Sequence, residues 1–197
     1  SAREARSVSR AAAAVGVDAV MVVMPYYNKP TQAGLIAHTR AVADAVGPLP
    51  VMLYNIPGRT GVDLLPESVE TICRSCSNVL AIKEATGNVV RTQELRRRLG
   101  DRLAILSGDD ALTLGMMACG ASGVVSVTAN FLPEKVAQVC SLALAGRYEE
   151  ALKAHLALMP VHDAMFLESN PGPCKLALAE LGRIGPYIRE PMAWPTE

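Results

Sequence analysis

The stretch "VLAIKEATGN" (residues 79–88) begins as a buried β-strand and then places a lysine where another apolar residue would continue the pattern. Four apolar residues lead directly into Lys83 and Glu84. A buried ammonium group is costly to desolvate unless it is paired, loses its proton or takes part in chemistry. Lys83 is therefore the first candidate for a functional residue.

Four other apolar runs resemble this strand, and they are continuous rather than alternating. Continuous runs are typical of strands that are covered on both faces, as in a parallel sheet. Helix-like segments separate the runs, so the pattern predicts repeated β/α units followed by an all-helical tail packed outside the sheet. The predicted strands are 18–24, 51–54, 79–82, 103–106 and 123–127, and the predicted helices are 2–15, 32–46, 66–76, 89–99, 111–119, 133–145, 148–168 and 172–181.

The overall composition narrows the classes of function. Nineteen basic residues balance nineteen acidic ones in a chain of 197 residues, half of them hydrophobic. A balanced charge excludes a strong attraction to nucleic acid or to an anionic membrane. The longest apolar run, residues 19–24, is far shorter than the roughly 20 residues of a membrane span. We therefore expect a soluble protein that binds neither nucleic acid nor membranes.

The cysteines predict neither a disulfide framework nor a metal site. There are five of them, an odd number, and the "CRSC" motif at Cys73 and Cys76 has no second CxxC or histidine cluster near it. A structural zinc site needs such a second pair of ligands. Reduced thiols are typical of a cytoplasmic protein, which is the location we expect.

Five parallel strands fit two architectures. A doubly wound open sheet needs about five strands, whereas a (β/α)8 barrel needs eight and typically about 250 residues. Polar residues follow every predicted strand, and barrels build their active sites at this face from several strand ends, whereas an open sheet concentrates them at one switch point. These residues are Tyr26, Tyr27 and Asn28; Tyr54 and Asn55; Lys83 and Glu84; Ser107, Gly108, Asp109 and Asp110; and Thr128 and Asn130.

Lys83 has two interpretations. It could end its strand at the surface, with its aliphatic stem on the protein and its ammonium group in water. Alternatively, a lysine whose pKa falls in an apolar pocket can attack a ketone as a neutral amine and form a Schiff base. That chemistry needs a proton shuttle, because carbinolamine formation and dehydration both move protons. Tyr54, at the end of the neighbouring strand, is the candidate, although its hydroxyl could serve only a structural hydrogen bond.

Six motifs carry a family resemblance: "PYYNKP", "YNIPGRTG", "IKEATGN", "SGDD", "SVTAN" and "ESNPGPCK". Their order and approximate spacing resemble the dihydrodipicolinate synthase and N-acetylneuraminate lyase family of pyruvate-dependent class I aldolases, from Glu4 to about the C-terminus. The resemblance implies a (β/α)8 TIM barrel with a C-terminal helical extension, assembled as a homotetramer or homodimer. It implies condensation of pyruvate with L-aspartate 4-semialdehyde in lysine and diaminopimelate biosynthesis, through a covalent imine and without a cofactor or metal.

The resemblance also implies roles for individual residues. Lys83 matches the lysine that captures pyruvate, and Tyr54 the tyrosine that relays protons. Tyr27 matches a tyrosine that reaches into a neighbouring subunit's site. Arg59 matches the arginine that binds the carboxylate of the semialdehyde, for which a guanidinium fork is suited. In sialic-acid lyases an apolar residue takes the place of Arg59.

Five further positions match the family pattern. Gly108 and Asp109 correspond to residues that line the semialdehyde pocket, although acids on a loop also commonly cap helices. Val125 would contribute a backbone carbonyl near pyruvate. Glu4 and Tyr26 fall where lysine-inhibited members bind that effector.

The beginning of the chain departs from the family. The family has a "GTTGE" motif after its second strand that binds the pyruvate carboxylate, and this chain lacks it. We expect residues 1–132 to form a partial barrel, strands 4–8 of the family fold without about the first three βα units, and residues 133–197 to form the last barrel helix and the extension. Such a barrel has two unpaired edges, so we expect this chain alone to be unstable or inactive and its full-length parent to be the enzyme.

Two alternative functions stay open at this point. One is another pyruvate-dependent aldolase or lyase, or a sugar-acid dehydratase, of the same family. The other is a five-stranded doubly wound binding domain without catalysis, which would use Asp109 and Asp110 to hold a cation or a phosphoryl group.

Overall fold

A computed structural model of the protein describes residues 1–196, which fold as alternating strands and helices followed by a helical tail. All five predicted strands and all eight predicted helices form near their expected positions. The elements are α1 (Ala2–Ala14), β1 (Val20–Val23), α2 (Gln32–Ala45), β2 (Val51–Asn55), α3 (Pro57–Thr60), α4 (Pro66–Ser75), β3 (Val79–Glu84), α5 (Val89–Leu99), β4 (Ala104–Ser107), α6 (Thr113–Ala118), β5 (Gly123–Val124), α7 (Pro133–Leu144), α8 (Tyr148–Ala164) and α9 (Gly172–Glu180).

The sheet is parallel throughout, and its strands lie in the order of the sequence, β1-β2-β3-β4-β5. A doubly wound sheet reverses its strand order at a switch point. No reversal occurs among the described strands, so the alternative of a doubly wound binding domain is wrong. Successive βα units instead add strands in one direction, as they do in a barrel.

The two faces of the sheet differ in burial. Helices cover one face, where Val22, Leu53 and Ile82 belong to the main hydrophobic core. The other face is apolar but incompletely covered, with Met21 49% and Val23 37% exposed. The expectation that both faces are covered is therefore wrong for this chain. The runs read as continuous because the open face is also built of apolar side chains.

Several elements are shorter than the sequence predicts, and β5 and α8 lose the most residues at their C-terminal ends. β5 ends at Val124 rather than residue 127, because the buried carboxylate of Asp110 accepts hydrogen bonds from the Ser126 hydroxyl and from the Val127 N–H (2.8 Å). These bonds draw the chain into a 3₁₀ turn at Thr128–Asn130 instead of continuing the strand. α8 ends at Ala164 rather than residue 168.

The helical tail joins two small hydrophobic clusters beside the main core, and it also contributes Ala143 and Ala151 to that core. Val136 and Val139 of α7 pack with Leu158 of α8, and Met165 and Cys174 pack with Phe131. The tail therefore packs against the rest of the chain through the main core as well as through these two clusters. None of the described helices is both long and apolar enough to cross a membrane.

Candidate active site at the carboxyl ends of the strands

Lys83 and Tyr54 lie side by side on the open face of the sheet. β2 and β3 are parallel, and their register pairs Tyr54 with Lys83. Paired residues of neighbouring strands point to the same face, so the two side chains meet. The Lys83 Nζ lies 4.2 Å from the centre of the Tyr54 ring. The predicted proximity of the amine and the phenol is thus present in the structure.

The surroundings of this pair favour the neutral form of both groups. Burial lowers the pKa of Lys83 below its ordinary value; the carboxylate of Asp110 opposes this shift, and the charge of Arg59 reinforces it. Burial also raises the pKa of Tyr54, against the opposing charge of Arg59. A less basic lysine supplies more free amine near neutral pH, and a protonated phenol can donate its proton. The pair can therefore act as a nucleophile beside a proton donor.

Gly108 lies against the aliphatic part of Lys83. A Cβ at this position would be 3.2 Å from the Lys83 Cε, 3.2 Å from the Glu84 carbonyl oxygen and only 2.6 Å from the Ala85 Cβ. Real Cβ atoms do not approach one another so closely, which means that only glycine fits without a shift of the end of β3. Gly108 thus shapes the space around the amine.

Arg59 extends from the short helix α3, directly after β2. It is exposed, and its Nη2 donates to the carbonyl oxygen of Asn170 (3.3 Å), which ties α3 to the C-terminal tail. Arg59 makes no ion pair with an acidic side chain within residues 1–196. Its remaining N–H groups are therefore available for an anion, close enough to Lys83 and Tyr54 to influence their pKa values.

The two acids after β4 have different environments. The Asp109 carboxylate accepts from the Ala111 N–H (3.0 Å) in a local turn before α6, whose N-cap residue, Leu112, has no side-chain cap, so Asp109 does not cap that helix. Asp110 is buried and holds the turn after β5. Val125 donates its N–H to the Ser107 carbonyl (2.8 Å), which continues the pairing of β5 with β4 at the same end of the sheet. No cluster of three or more metal-binding side chains occurs in the described part of the chain.

Two tyrosines follow β1 and lie in different settings. Tyr26 shares a cleft of about 420 Å³ with Glu4 and His38, so the two predicted effector positions come together. Tyr27 is 92% exposed and has a φ of +76°, an uncommon conformation for a residue other than glycine. Within the single chain, Tyr27 therefore projects into solvent.

The sequence analysis missed Asp63 and Arg91 and placed Asn55 and Glu84 on the wrong face of the sheet. Asn55 and Glu84 were grouped with the strand-end residues, but their side chains lie on the helix-covered face, where Asp63 and Arg91 join them through hydrogen bonds. The alternation of side chains along a strand could have predicted this, because it places Asn55 and Glu84 on the other face of the sheet from their neighbours Tyr54 and Lys83.

Known proteins of one family match this chain over nearly its whole length. The model of the dihydrodipicolinate synthetase family matches residues 1–197. The 4-hydroxy-tetrahydrodipicolinate synthase of Sorangium cellulosum (strain So ce56) is 58% identical over 192 residues, which cover 98% of this chain and 64% of that protein. This chain thus spans slightly less than two-thirds of the length of that relative.

Solved structures of dihydrodipicolinate synthases also match this chain over its whole length. Dihydrodipicolinate synthase from Aquifex aeolicus matches with a TM-score of 0.97 and 40% identity, covering 100% of this chain and 67% of that chain. The chloride-inhibited, pyruvate-complexed dihydrodipicolinate synthase from Acinetobacter baumannii matches with a TM-score of 0.96 and 43% identity, over 100% and 67% of the two chains. The predicted barrel fold class is confirmed. A match along the full sequence, together with a relative more than half identical to it, leads to one conclusion: the chain belongs to the dihydrodipicolinate synthetase family.

Proposed function

We propose that this protein acts as a 4-hydroxy-tetrahydrodipicolinate synthase, a lyase of the class I aldolase type that condenses pyruvate with L-aspartate 4-semialdehyde in lysine and diaminopimelate biosynthesis. One observation carries the proposal. The half-buried amine of Lys83, with its lowered pKa, lies 4.2 Å from the ring of Tyr54, which is paired with it in register across two parallel strands.

The chemistry proceeds through an imine and needs no metal or organic cofactor. The neutral Lys83 amine attacks the keto carbon of pyruvate, and the resulting carbinolamine loses water to give the imine. Loss of a proton from the methyl carbon gives an enamine, whose carbon then bonds to the aldehyde carbon of the semialdehyde. The amino group of the adduct then attacks the new imine carbon, which closes the ring of the product, breaks the bond to the Lys83 nitrogen and restores the lysine. Tyr54 donates and accepts the protons of these steps, because its ring lies 4.2 Å from the amine.

The pyruvate site is supported by the residues around Lys83. Gly108 leaves room beside the lysine stem, and Val125 lies on the adjoining strand end, where its carbonyl would face the bound keto acid. The relative from Acinetobacter baumannii is described in complex with pyruvate.

We assign Arg59 to the carboxylate of the semialdehyde and Asp109 to the rim of the same pocket. The guanidinium group has no acidic partner among the described residues and lies near the reacting pair, which suits a planar anion. The charge on Arg59 favours this acceptor over the neutral sugar chains that related sugar-acid aldolases and dehydratases take.

We further propose that the protein works as a homodimer or homotetramer. Tyr27 is almost fully exposed at the same end of the sheet, as expected of a side chain that completes a neighbouring subunit's proton relay. Tyr26 and Glu4 would bind a lysine effector in the cleft that they share.

The proposal also covers the two parts into which the chain is divided and the cellular compartment of the protein. Residues 1–132 carry strands 4–8 of the family barrel, and residues 133–197 carry its last helix and the C-terminal extension. The change from alternating strands and helices to helices alone after β5 supports this division. A cytoplasmic location is supported by the five free thiols.

Turnover tests the proposal. The protein, expressed from its complete coding sequence, should consume L-aspartate 4-semialdehyde only when pyruvate is present. Lys83→Arg keeps the positive charge but removes the nucleophile, so it should abolish turnover, whereas Lys135→Arg on the exposed surface of α7 should not. Pyruvate-independent consumption, or an active Lys83→Arg variant, would contradict the proposal.

A further inference from the structure

A buried polar network lies directly behind the Lys83–Tyr54 pair, on the helix-covered face of the same two strands. The register that pairs Tyr54 with Lys83 also pairs Asn55 with Glu84. Asn55 is 0% exposed and Glu84 2% exposed. The Asn55 Nδ2 donates to the Glu84 Oε2 (3.2 Å), so the two side chains link β2 to β3 one residue beyond the reacting pair.

Every polar atom of this pair has a partner. The Asn55 Nδ2 also donates to the Asp63 Oδ1 (2.8 Å), and the Asn55 Oδ1 accepts from the Leu64 N–H (3.0 Å). The Glu84 Oε1 accepts from the Thr86 N–H (2.8 Å). Because the network is fully satisfied, it specifies one arrangement of the two strand ends rather than several.

The network also closes the loop that carries Arg59. Asn55 begins this loop, and its side-chain oxygen binds the backbone of Leu64 at the other end. Arg91 of α5 holds Asp63 with a bidentate ion pair (2.7 and 3.3 Å) and donates to the Leu64 carbonyl (3.1 Å). The same few side chains therefore fix the ends of both strands and the base of the Arg59 loop.

The network has an electrostatic cost that an apolar pair would avoid. Burial raises the pKa of the Glu84 carboxyl, while the hydrogen bonds from Thr86 and Asn55 and the charge of Arg91 oppose this shift. Apolar side chains would fill the space without this desolvation cost, but they could not bind the donors of Thr86 and Leu64 or fix the spacing of the two strand ends. The polar pair therefore fixes the spacing of the two strand ends, which apolar side chains could not do.

We infer that Asn55 and Glu84 are positioning residues, which hold Tyr54 against Lys83 and orient the Arg59 loop from the opposite face of the sheet. The inference rests on the proposed function for its catalytic consequence. A displacement of about 1 Å in a catalytic arrangement can cost about 100-fold in rate, so a relaxed network should slow imine formation even in a protein that remains folded.

Two isosteric substitutions break the network in opposite ways. Glu84→Gln leaves one acceptor for two donors, the Thr86 N–H and the Asn55 Nδ2. Asn55→Asp places a third carboxylate beside Glu84 and Asp63. In the double variant the amide at position 84 can donate to the carboxylate at position 55 while its oxygen still accepts from the Thr86 N–H. The double variant should therefore recover part of what each single variant loses.

The matched control lies at the opposite end of the same strands. The Asn78 Nδ2 donates to the carbonyls of Ala43 and Gly47 (3.0 and 2.8 Å), just before β3 begins. Asn78→Ala removes a comparable set of hydrogen bonds far along the strand from Lys83, so it should lower the melting temperature without slowing imine formation in the folded protein.

The test combines borohydride trapping of the pyruvate adduct, thermal melting and crystal structures of the complete protein and its variants. Each single variant should trap pyruvate about 10- to 100-fold more slowly and show a Lys83–Tyr54 separation longer than 4.2 Å. The double variant should trap faster than either single variant. The inference fails if the folded single variants trap at the parent rate, if the double variant recovers nothing, or if Asn78→Ala slows trapping equally. A parent that traps no pyruvate would refute the proposed function instead, and an unchanged Lys83–Tyr54 separation in Glu84→Gln would still overturn the positioning role.

Discussion

Gly108→Ala should destabilise the end of β3 and disturb the reactive amine at the same time. The added Cβ would lie 2.6 Å from the Ala85 Cβ and 3.2 Å from the Lys83 Cε. Carbon atoms at optimal contact are about 3.5–4.0 Å apart, so the closer contact is about 1 Å too short. Overpacking of this kind costs about 1–3 kcal/mol. We expect a loss of this size in the free energy of unfolding, together with slower imine formation.

Urea unfolding of the purified protein measures the free energy of unfolding, and borohydride trapping measures the rate at which the Lys83 amine forms an imine with pyruvate. The matched control is Gly115→Ala in α6, where an added Cβ meets only the Val89 Cγ2 at 4.0 Å. A helical Gly→Ala change there should stabilise by about 0.5–1 kcal/mol. A second variant, Gly108→Ala with Ala85→Gly, removes the 2.6 Å contact and should recover most of the loss. The reasoning is refuted if Gly108→Ala is as stable as the parent, or if removing the Ala85 methyl group has no effect.

Three further predictions concern protonation and ion pairs. Because burial lowers the pKa of Lys83, the rate of imine formation should rise with pH and level off below the ordinary lysine value of 10.5; a plateau only above that value would contradict the assignment. Burial likewise lowers the pKa of His162 below 6.5. The unfolded chain therefore binds the additional proton, and the free energy of unfolding should fall as the pH drops below 6.5. In His162→Asn, urea titrations should show a weaker dependence of that free energy on pH, and an unchanged pH dependence would exclude His162 as its source. Arg91→Ala breaks a pair whose side chains are only 12% and 32% exposed and should cost about 2 kcal/mol. Arg147→Ala breaks a pair whose side chains are more than half exposed and should change the free energy of unfolding very little. Equal losses in urea unfolding would contradict this ranking.

The sequence was informative wherever a local pattern decides the structure. Apolar runs located the strands, and the polar residues after them located the end of the sheet that carries Lys83 and Tyr54. Parallel pairing then brings these two residues together without any further information, because neighbouring strands that end at the same edge align their last residues.

Features that depend on distant partners could not be predicted in this way. β5 ends early because Asp110, which precedes the strand by more than ten residues, binds the backbone of the following turn. The open face of the sheet is as apolar as the covered one, so hydrophobicity alone could not show which face the helices cover. Asn55 and Glu84 resembled further site residues, but the alternation of side chains along a strand places them behind the site.

The identity of the amine that bonds to pyruvate tests the central claim most directly. The protein is incubated with pyruvate, reduced with borohydride and digested, and the modified peptide is identified by mass spectrometry. The account predicts a carboxyethyl group on Lys83 and none in the Lys83→Arg variant. An adduct on another lysine, or no adduct in the complete protein, would contradict it.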